Sequence, residues 1–202
     1  MIEWIKTARN MSPTQSTDEQ LMLAFTRGST DAFGELFSRY KQPLFGFFRR
    51  RVRDAAQAEE LTQETFVALL RAAERYEPSA LFRTYVYAIA FKILRVHRRK
   101  AVFRATFLGF ARAEQEPAGE SQSESEISLR HAIGKLERID REILLLREFE
   151  ELSYAEIAAV LRLPINTVRS RLFRARMALH ELLTRPAPKT TATELRPQEE
   201  RV

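Results

Sequence analysis

The chain has 202 residues, with 33 Lys+Arg against 27 Asp+Glu and a net charge of +6. That length suits one large domain or two small ones, 45 % hydrophobic residues suffice for a packed core, and the basic balance favours a polyanionic partner. There is no cysteine, so disulfides and thiolate metal sites are excluded, and three scattered histidines (His97, His131, His180) argue against a metal site. No apolar run approaches the roughly 20 residues that span a bilayer. The N-terminus, MIEWIKTARNM, carries no evident signal peptide, which leads us to expect a cytoplasmic protein.

Few glycines and recurrent apolar spacings of three and four make the chain all-α. Residues 1–16 read as a flexible leader, in which Met11 offers a second start. Thr17 and Gln20 form a capping box for a helix over Asp18–Gly28. Ser29 or Thr30 caps the next, with Phe33, Leu36, Phe37 and Tyr40 on one side. The stripe continues through Leu44, Phe47 and Phe48, and Pro43 is expected to bend or break it. Asp54 and Gln57 make another cap pair, opening a helix to about Arg75, and Pro78 closes that region. A helix from about Leu81 to Lys100 places Phe82, Val86, Ile89, Ile93 and Val96 at core spacing.

The composition then changes. Residues 101–113, AVFRATFLGFARA, are apolar enough to dock, but Glu114–Glu126 holds five glutamates, no Lys or Arg and almost nothing apolar. Such a stretch buries too little surface to offset its ordering entropy. Residues 101–126 are therefore read as a flexible acidic linker between two small helical domains, 17–100 and 127–184, which should move independently when free. The tail 185–202, rich in Pro, Thr and charge, reads as disordered.

Ser153–Leu179 is the most informative stretch. Ser153 and Glu156 form a capping box, and Ile157, Ala158 and Leu161 give a short helix its apolar face. Arg162 and Leu163 make a tight turn, with Arg162 where many such turns carry Gly. Pro164 suits the start of a second helix, whose Val168, Leu172, Ala175 and Leu179 are spaced for burial. Its other side shows Asn166, Thr167, Arg169, Ser170, Arg171 and Arg174. This is a helix-turn-helix whose recognition helix suits the major groove, where Arg pairs with guanine and Asn with adenine. The alternative is an αα-hairpin with a solvated basic face.

Two further surfaces are less specific. Tyr85, Lys92, Arg95 and Arg99, extended by Arg98, form an aromatic-plus-basic stripe suited to a partly opened duplex, or else a solvated face. The Arg49–Arg53 cluster is similarly ambiguous. Gln57, Glu60, Gln63 and Glu64 form an acidic, amide-rich face that either docks protein or meets solvent. No Gly-rich phosphate loop, paired metal-ligand spacing or nucleophile–base arrangement occurs, so no catalytic site, metal or cofactor is expected. A DNA-binding regulator of another kind and a peripheral membrane protein remain as alternatives.

AFGELFSRYKQPLFGFFRRR, AEELTQETFVALL, FRTYVYAIAFKILRVHRRK and LSYAEIAAVLRLPINTVRSRLFRAR resemble, in order, the conserved segments of the extracytoplasmic-function sigma factors. The resemblance spans Asp18–Lys100 and Ile127–Leu183. It implies a four-helix-type region 2 bundle and a region 4 helix-turn-helix. It also implies binding to the β and β′ subunits of core RNA polymerase, recognition of the −10 and −35 promoter elements, and strand melting. Glu59, Glu60, Gln63, Glu64 and Phe66 would dock on β′. Tyr76, Phe82, Tyr85, Lys92, Arg95, Arg98 and Arg99 would hold the −10 element, with a base captured by the 76–83 loop. Asn166, Thr167, Arg169, Ser170, Arg171 and Arg174 would read the −35 element, and residues near 135–150 would approach the β flap. An anti-sigma factor, often membrane-anchored in the family, would hold the chain at the inner membrane. The family's usual Trp, Asn and Asp in the −10 helix are here Tyr85, Lys92 and Val96; Asn166 replaces a common Gly and Glu137 a common Pro.

Overall fold

A computed structural model describes residues 16–52, 54–107 and 124–184. The readings made for the leader, the tail, Arg53 and residues 108–123 lie outside them. The described residues form helices α1 (Asp18–Thr26), α2 (Thr30–Arg49), α3 (Ala55–Ala72), α4 (Phe82–Phe107), α5 (Glu124–Lys135), α6 (Arg138–Glu148), α7 (Tyr154–Leu161) and α8 (Ile165–Thr184), with a 3-10 turn at Ala73–Arg75 and no strand. Helices α1–α4 form one module and α5–α8 the other.

Local signals explain most boundaries. Thr17 Oγ1 accepts from the Gln20 amide while Gln20 accepts from the Thr17 amide, so both halves of that capping box are made. Ser29 caps α2. Asp54 caps α3 through the Ala56 amide at 3.1 Å rather than pairing with Gln57. Helix α4 starts on a tertiary cap: the Phe82 amide donates to Glu19 Oε1 of α1 at 2.7 Å. Helix α2 runs unbroken through Pro43, so of the expected bend or break the break does not occur. A mid-helix proline costs about 3 kcal/mol, but Leu36, Tyr40, Leu44, Phe47 and Phe48 lie buried on both sides of it. Each such buried side chain contributes about 1.5–3 kcal/mol, so one continuous apolar face outweighs the missing hydrogen bond.

The linker is shorter than composition suggests. Helix α4 continues past Lys100 to Phe107, and α5 opens at Glu124 rather than Ile127. The two modules are also docked, where independent motion was expected. Helix α7 packs along α4, and side chains from α2, α4, α6 and α7 meet between the modules. This docking explains an oddity of α6, in which Glu142 through Leu146 are all buried. A three-turn helix whose middle is buried all round has neighbours on both sides.

Candidate nucleic-acid interface

Helix α8 is positioned by a helix-turn-helix built much as its sequence predicts. The Ser153–Glu156 box is complete, and Ile157, Val160, Val168, Leu172 and Ala175 are buried. Arg162 ends α7 in the left-handed region at φ 56°, ψ 49°, and its neighbour Leu163 donates to Ala158 O at 3.0 Å. This closes the helix terminus at a strain of about 1–2 kcal/mol.

The outward row of α8 is Asn166, Arg169, Ser170, Phe173, Arg174 and Met177, all exposed. Thr167 is half-buried and gives its carbonyl to the Ser170 hydroxyl. Arg171 differs from the other predicted readers: it pairs with Asp140 at 2.9 Å and Glu137 at 3.1 Å, bracing α8 against the start of α6. Those two carboxylates, through hydrogen bonds first, raise its pKa further. Glu137, where the family's proline is missing, thus has a structural partner. Phe173 and Met177 went unnoticed in the sequence. Phe173 is 67 % exposed, and its place three or four residues from Ser170, Arg169 and Met177 is the periodic signal that would have found it.

Helix α4 is more deeply embedded. Tyr76 and Phe82 are buried, forming with half-buried Tyr85 an aromatic triad whose centroids lie 5.3–6.4 Å apart. The Tyr76 hydroxyl has no hydrogen-bond partner among the described residues. Burial, with Glu19 nearby, raises the Tyr76 pKa, and burial raises that of Tyr85, so both rings are neutral. The fully covered positions of α4 are Phe82, Thr84, Val86, Tyr87, Ala90 and Leu94. Ile89 and Ile93, expected in the core, pack against it half-buried, and with half-buried Val96 they also line a groove of about 420 Å³ with Glu64, Tyr85 and Lys92 between α3 and α4. The shift arises because α4 has packing on two sides, the bundle and α7. Lys92, Arg95 and Arg99 are exposed, whereas Arg98 pairs with Glu142 at 2.6 Å. Burial lowers the His97 pKa, so the imidazole adds no charge near neutrality.

Helix α3 presents Glu59, Glu60, Gln63 and Glu64 outward. Phe66 is 5 % exposed and packs on Phe37 and Phe33, so its ring supports this face from beneath. Val67, Leu70 and Phe37 are the exposed apolar side chains nearby in α3 and α2. Among the described residues there is no group of acidic, His or Cys side chains that could hold a metal ion.

Two basic helices with outward cations, one in a helix-turn-helix and one beside an aromatic triad, define a helical DNA-binding protein with two contact surfaces. Comparison with known families makes this specific. Residues 36–103 match the family described as Sigma-70 region 2, and residues 126–179 match Sigma-70, region 4. The RNA polymerase sigma-H factor of Pseudomonas aeruginosa is 34 % identical over 184 residues, covering 84 % of this chain and 95 % of that protein. The ECF RNA polymerase sigma factor SigC of Mycobacterium tuberculosis is 33 % identical over 175 residues, covering 84 % and 94 %. Among solved structures, CnrH in complex with the cytosolic domain of CnrY superposes with a TM-score of 0.63 at 25 % identity, over 83 % of this chain and 97 % of that one. RpoE bound to the anti-sigma factor NepR, from Bartonella quintana, shares the fold at 22 % identity and a TM-score of 0.65, over 77 % and 98 %. The chain belongs to the sigma-70 family of RNA polymerase sigma factors, in its extracytoplasmic-function group. It is a promoter-recognising initiation factor, and sigma factors are non-catalytic specificity subunits.

Proposed function

We propose that the α8 row reads the −35 element in the major groove, with Arg169, Arg174, Ser170 and Asn166 as polar readers and Thr167 close behind. Phe173 adds an apolar face suited to a thymine methyl. Arg171 contributes by holding α8 rather than by reading bases. The observation that carries this reading is the outward display of Asn166, Arg169, Ser170 and Arg174 on a helix locked by buried Val168, Leu172 and Ala175.

Helix α4 takes the −10 element. Lys92, Arg95 and Arg99 neutralise phosphates, and Tyr85 is the aromatic that stacks on an unpaired base. Tyr76 and Phe82 support Tyr85 from the core. Arg98 joins the DNA set when its pair with Glu142 is released. Glu59, Glu60, Gln63 and Glu64 dock on the β′ subunit of core polymerase, shaped by Phe66. The β subunit receives the second module near α6.

The complex of CnrH with the CnrY cytosolic domain supports an anti-sigma partner for this chain as well. No helix among the described residues is long and apolar enough to cross a membrane. A cytoplasmic protein held at the inner membrane by such a partner fits both observations. Run-off transcription with purified core polymerase tests the assignment: transcripts starting downstream of paired −35 and −10 elements are expected. Gln63→Ala with Glu64→Ala should abolish them by loss of core binding. Intact core binding in that variant would remove α3 from the docking face.

A further inference from the structure

Helix α4 does not stop where its −10 stretch ends at Arg99. It runs two turns further, through Lys100 and Arg104 to Phe107, and the Thr106 hydroxyl donates to Val102 O at 3.0 Å within those turns. Over its 26 residues α4 carries seven Lys and Arg and no carboxylate. A solvent-facing helix commonly interleaves cations with Glu, because pairs four residues apart stabilise it. Arg83 and Arg98 pair with the second module, whereas Arg99, Lys100 and Arg104 are exposed. Among the described residues no ion pair joins these last three to a carboxylate. Glu60 and Glu64 of α3 face them across an open cleft of about 820 Å³. The helix dipole favours cations only within the last turn, which includes Arg104 but not Lys100.

Resting on the −10 reading above, we propose that this extension is a duplex clamp. Lys100 and Arg104 hold phosphates of the double-stranded spacer that adjoins the −10 element on its −35 side. The direction follows from the two ends of α4. Its aromatic end, with Tyr76, Phe82 and Tyr85, suits an unpaired base, so the opened strands lie there. The −35 element is read as duplex, so paired DNA continues from the other end. The length follows from helix rise. Tyr85 to Arg99 spans about 21 Å at ~1.5 Å per residue, which matches about 6 bp at ~3.4 Å each. Arg99 to Phe107 adds about 12 Å, or roughly 3 bp more. Lys100 and Arg104 flank the Tyr85–Lys92–Arg99 row and stand about 6 Å apart along the axis, so each takes its own phosphate.

Docking of α3 on polymerase occupies Glu60 and Glu64, and the charge left along that cleft is then positive. An anionic lipid surface is the other polyanion this end could meet, since Val102 and Phe103 are each 60 % exposed. Helices that lie on membranes carry an apolar face along their whole length, and two adjacent residues do not make one. The duplex is therefore the better partner.

The test uses the full chain bound to core polymerase and a promoter fragment. Lys100→Ala with Arg104→Ala should lower the slope of log affinity against log salt by about 2, one per phosphate contact. The affinity gap between parent and variant should then narrow about tenfold between roughly 50 and 200 mM salt. Both side chains are exposed, so the melting temperature and core binding should stay in place. Lys100→Arg with Arg104→Lys keeps the charges and should keep the slope. Position is tested with uncharged methylphosphonate linkages in the roughly 3 bp beside the −10 element. The parent should lose affinity on that fragment, and the double alanine variant should be indifferent to it. The same linkages one helical turn further upstream should affect neither protein. An unchanged salt slope, or a variant that still responds to the neutral linkages, would overturn the clamp. So would loss of binding to anionic vesicles with the promoter slope intact, which would assign this end to a membrane surface. Run-off transcription by the parent on the unmodified fragment reports separately on sigma activity. Absent transcripts sink that reading, whereas transcripts with an insensitive spacer sink the clamp alone.

Discussion

Helices α4 and α8 are the two basic helices of this protein, and they handle their arginines differently. Helix α8 touches its module along one side only. Arg169 and Arg174 project away, while Arg171 reaches Glu137 and Asp140 and Arg176 reaches Glu148. Helix α4 is wedged between its own bundle and α7. Arg98 is consumed by Glu142, Arg83 by Glu150 and Glu156, while Lys92, Arg95, Arg99, Lys100 and Arg104 stay outward. A basic stripe in a sequence therefore states how much positive charge a helix carries, whereas the number of neighbours decides how much of it is available.

The sharpest way to break this comparison lies at the aromatic end of α4. Phe82→Ala should cost about 3–5 kcal/mol of stability, because the ring is 1 % exposed and packs on Tyr40, Tyr76 and Tyr85. Thermal unfolding measures it; a small loss of stability with a large loss of promoter melting would make Phe82 a direct DNA contact. Next comes the contrast within α8. Arg174→Ala should weaken −35 binding by roughly 1–3 kcal/mol while leaving the melting temperature in place. Arg171→Ala should lower both, and a variant that loses DNA affinity alone would return Arg171 to the readers.

A smaller effect concerns the turn that aims α8. Arg162→Gly removes the left-handed strain and should stabilise the protein by about 1 kcal/mol, read as a higher denaturation midpoint. A lower midpoint would show that the Arg162 side chain holds the turn in some other way. Last is pH. Burial works to raise the Glu142 pKa, but Arg51 and Arg98 outweigh it and hold it below the ordinary carboxylate value. For a depressed carboxylate the stabilisation is complete above the unfolded pKa and is lost as pH falls through the folded one. Docking should therefore persist through pH 5 and fail only in stronger acid, as followed by the inter-module distance. Loss of docking between pH 5 and 7 would contradict the pairing.

Much of the site was legible because it rests on local rules. The capping boxes at Thr17 and Ser153, the αL turn at Arg162 and the 168–172–175 stripe depend on residues a few positions apart, and the structure places them as read. Three readings went differently for one shared reason. Pro43 did not interrupt α2, Ile89, Ile93 and Val96 are only half-buried along a groove, and Phe66 lies beneath the outward acidic and amide side chains of α3. Each outcome was decided by neighbours distant in the chain.

The amino-acid sequence by itself determined the helices, the split into two basic modules and the family, since periodicity, capping and motif order are short-range properties. Only the tertiary structure decided which arginines are free, because an ion pair such as Arg51 with Glu142 joins residues 91 positions apart. No local pattern encodes that pairing. It emerges when the packing of α7 on α4 buries the charges together, and burial makes partners obligatory.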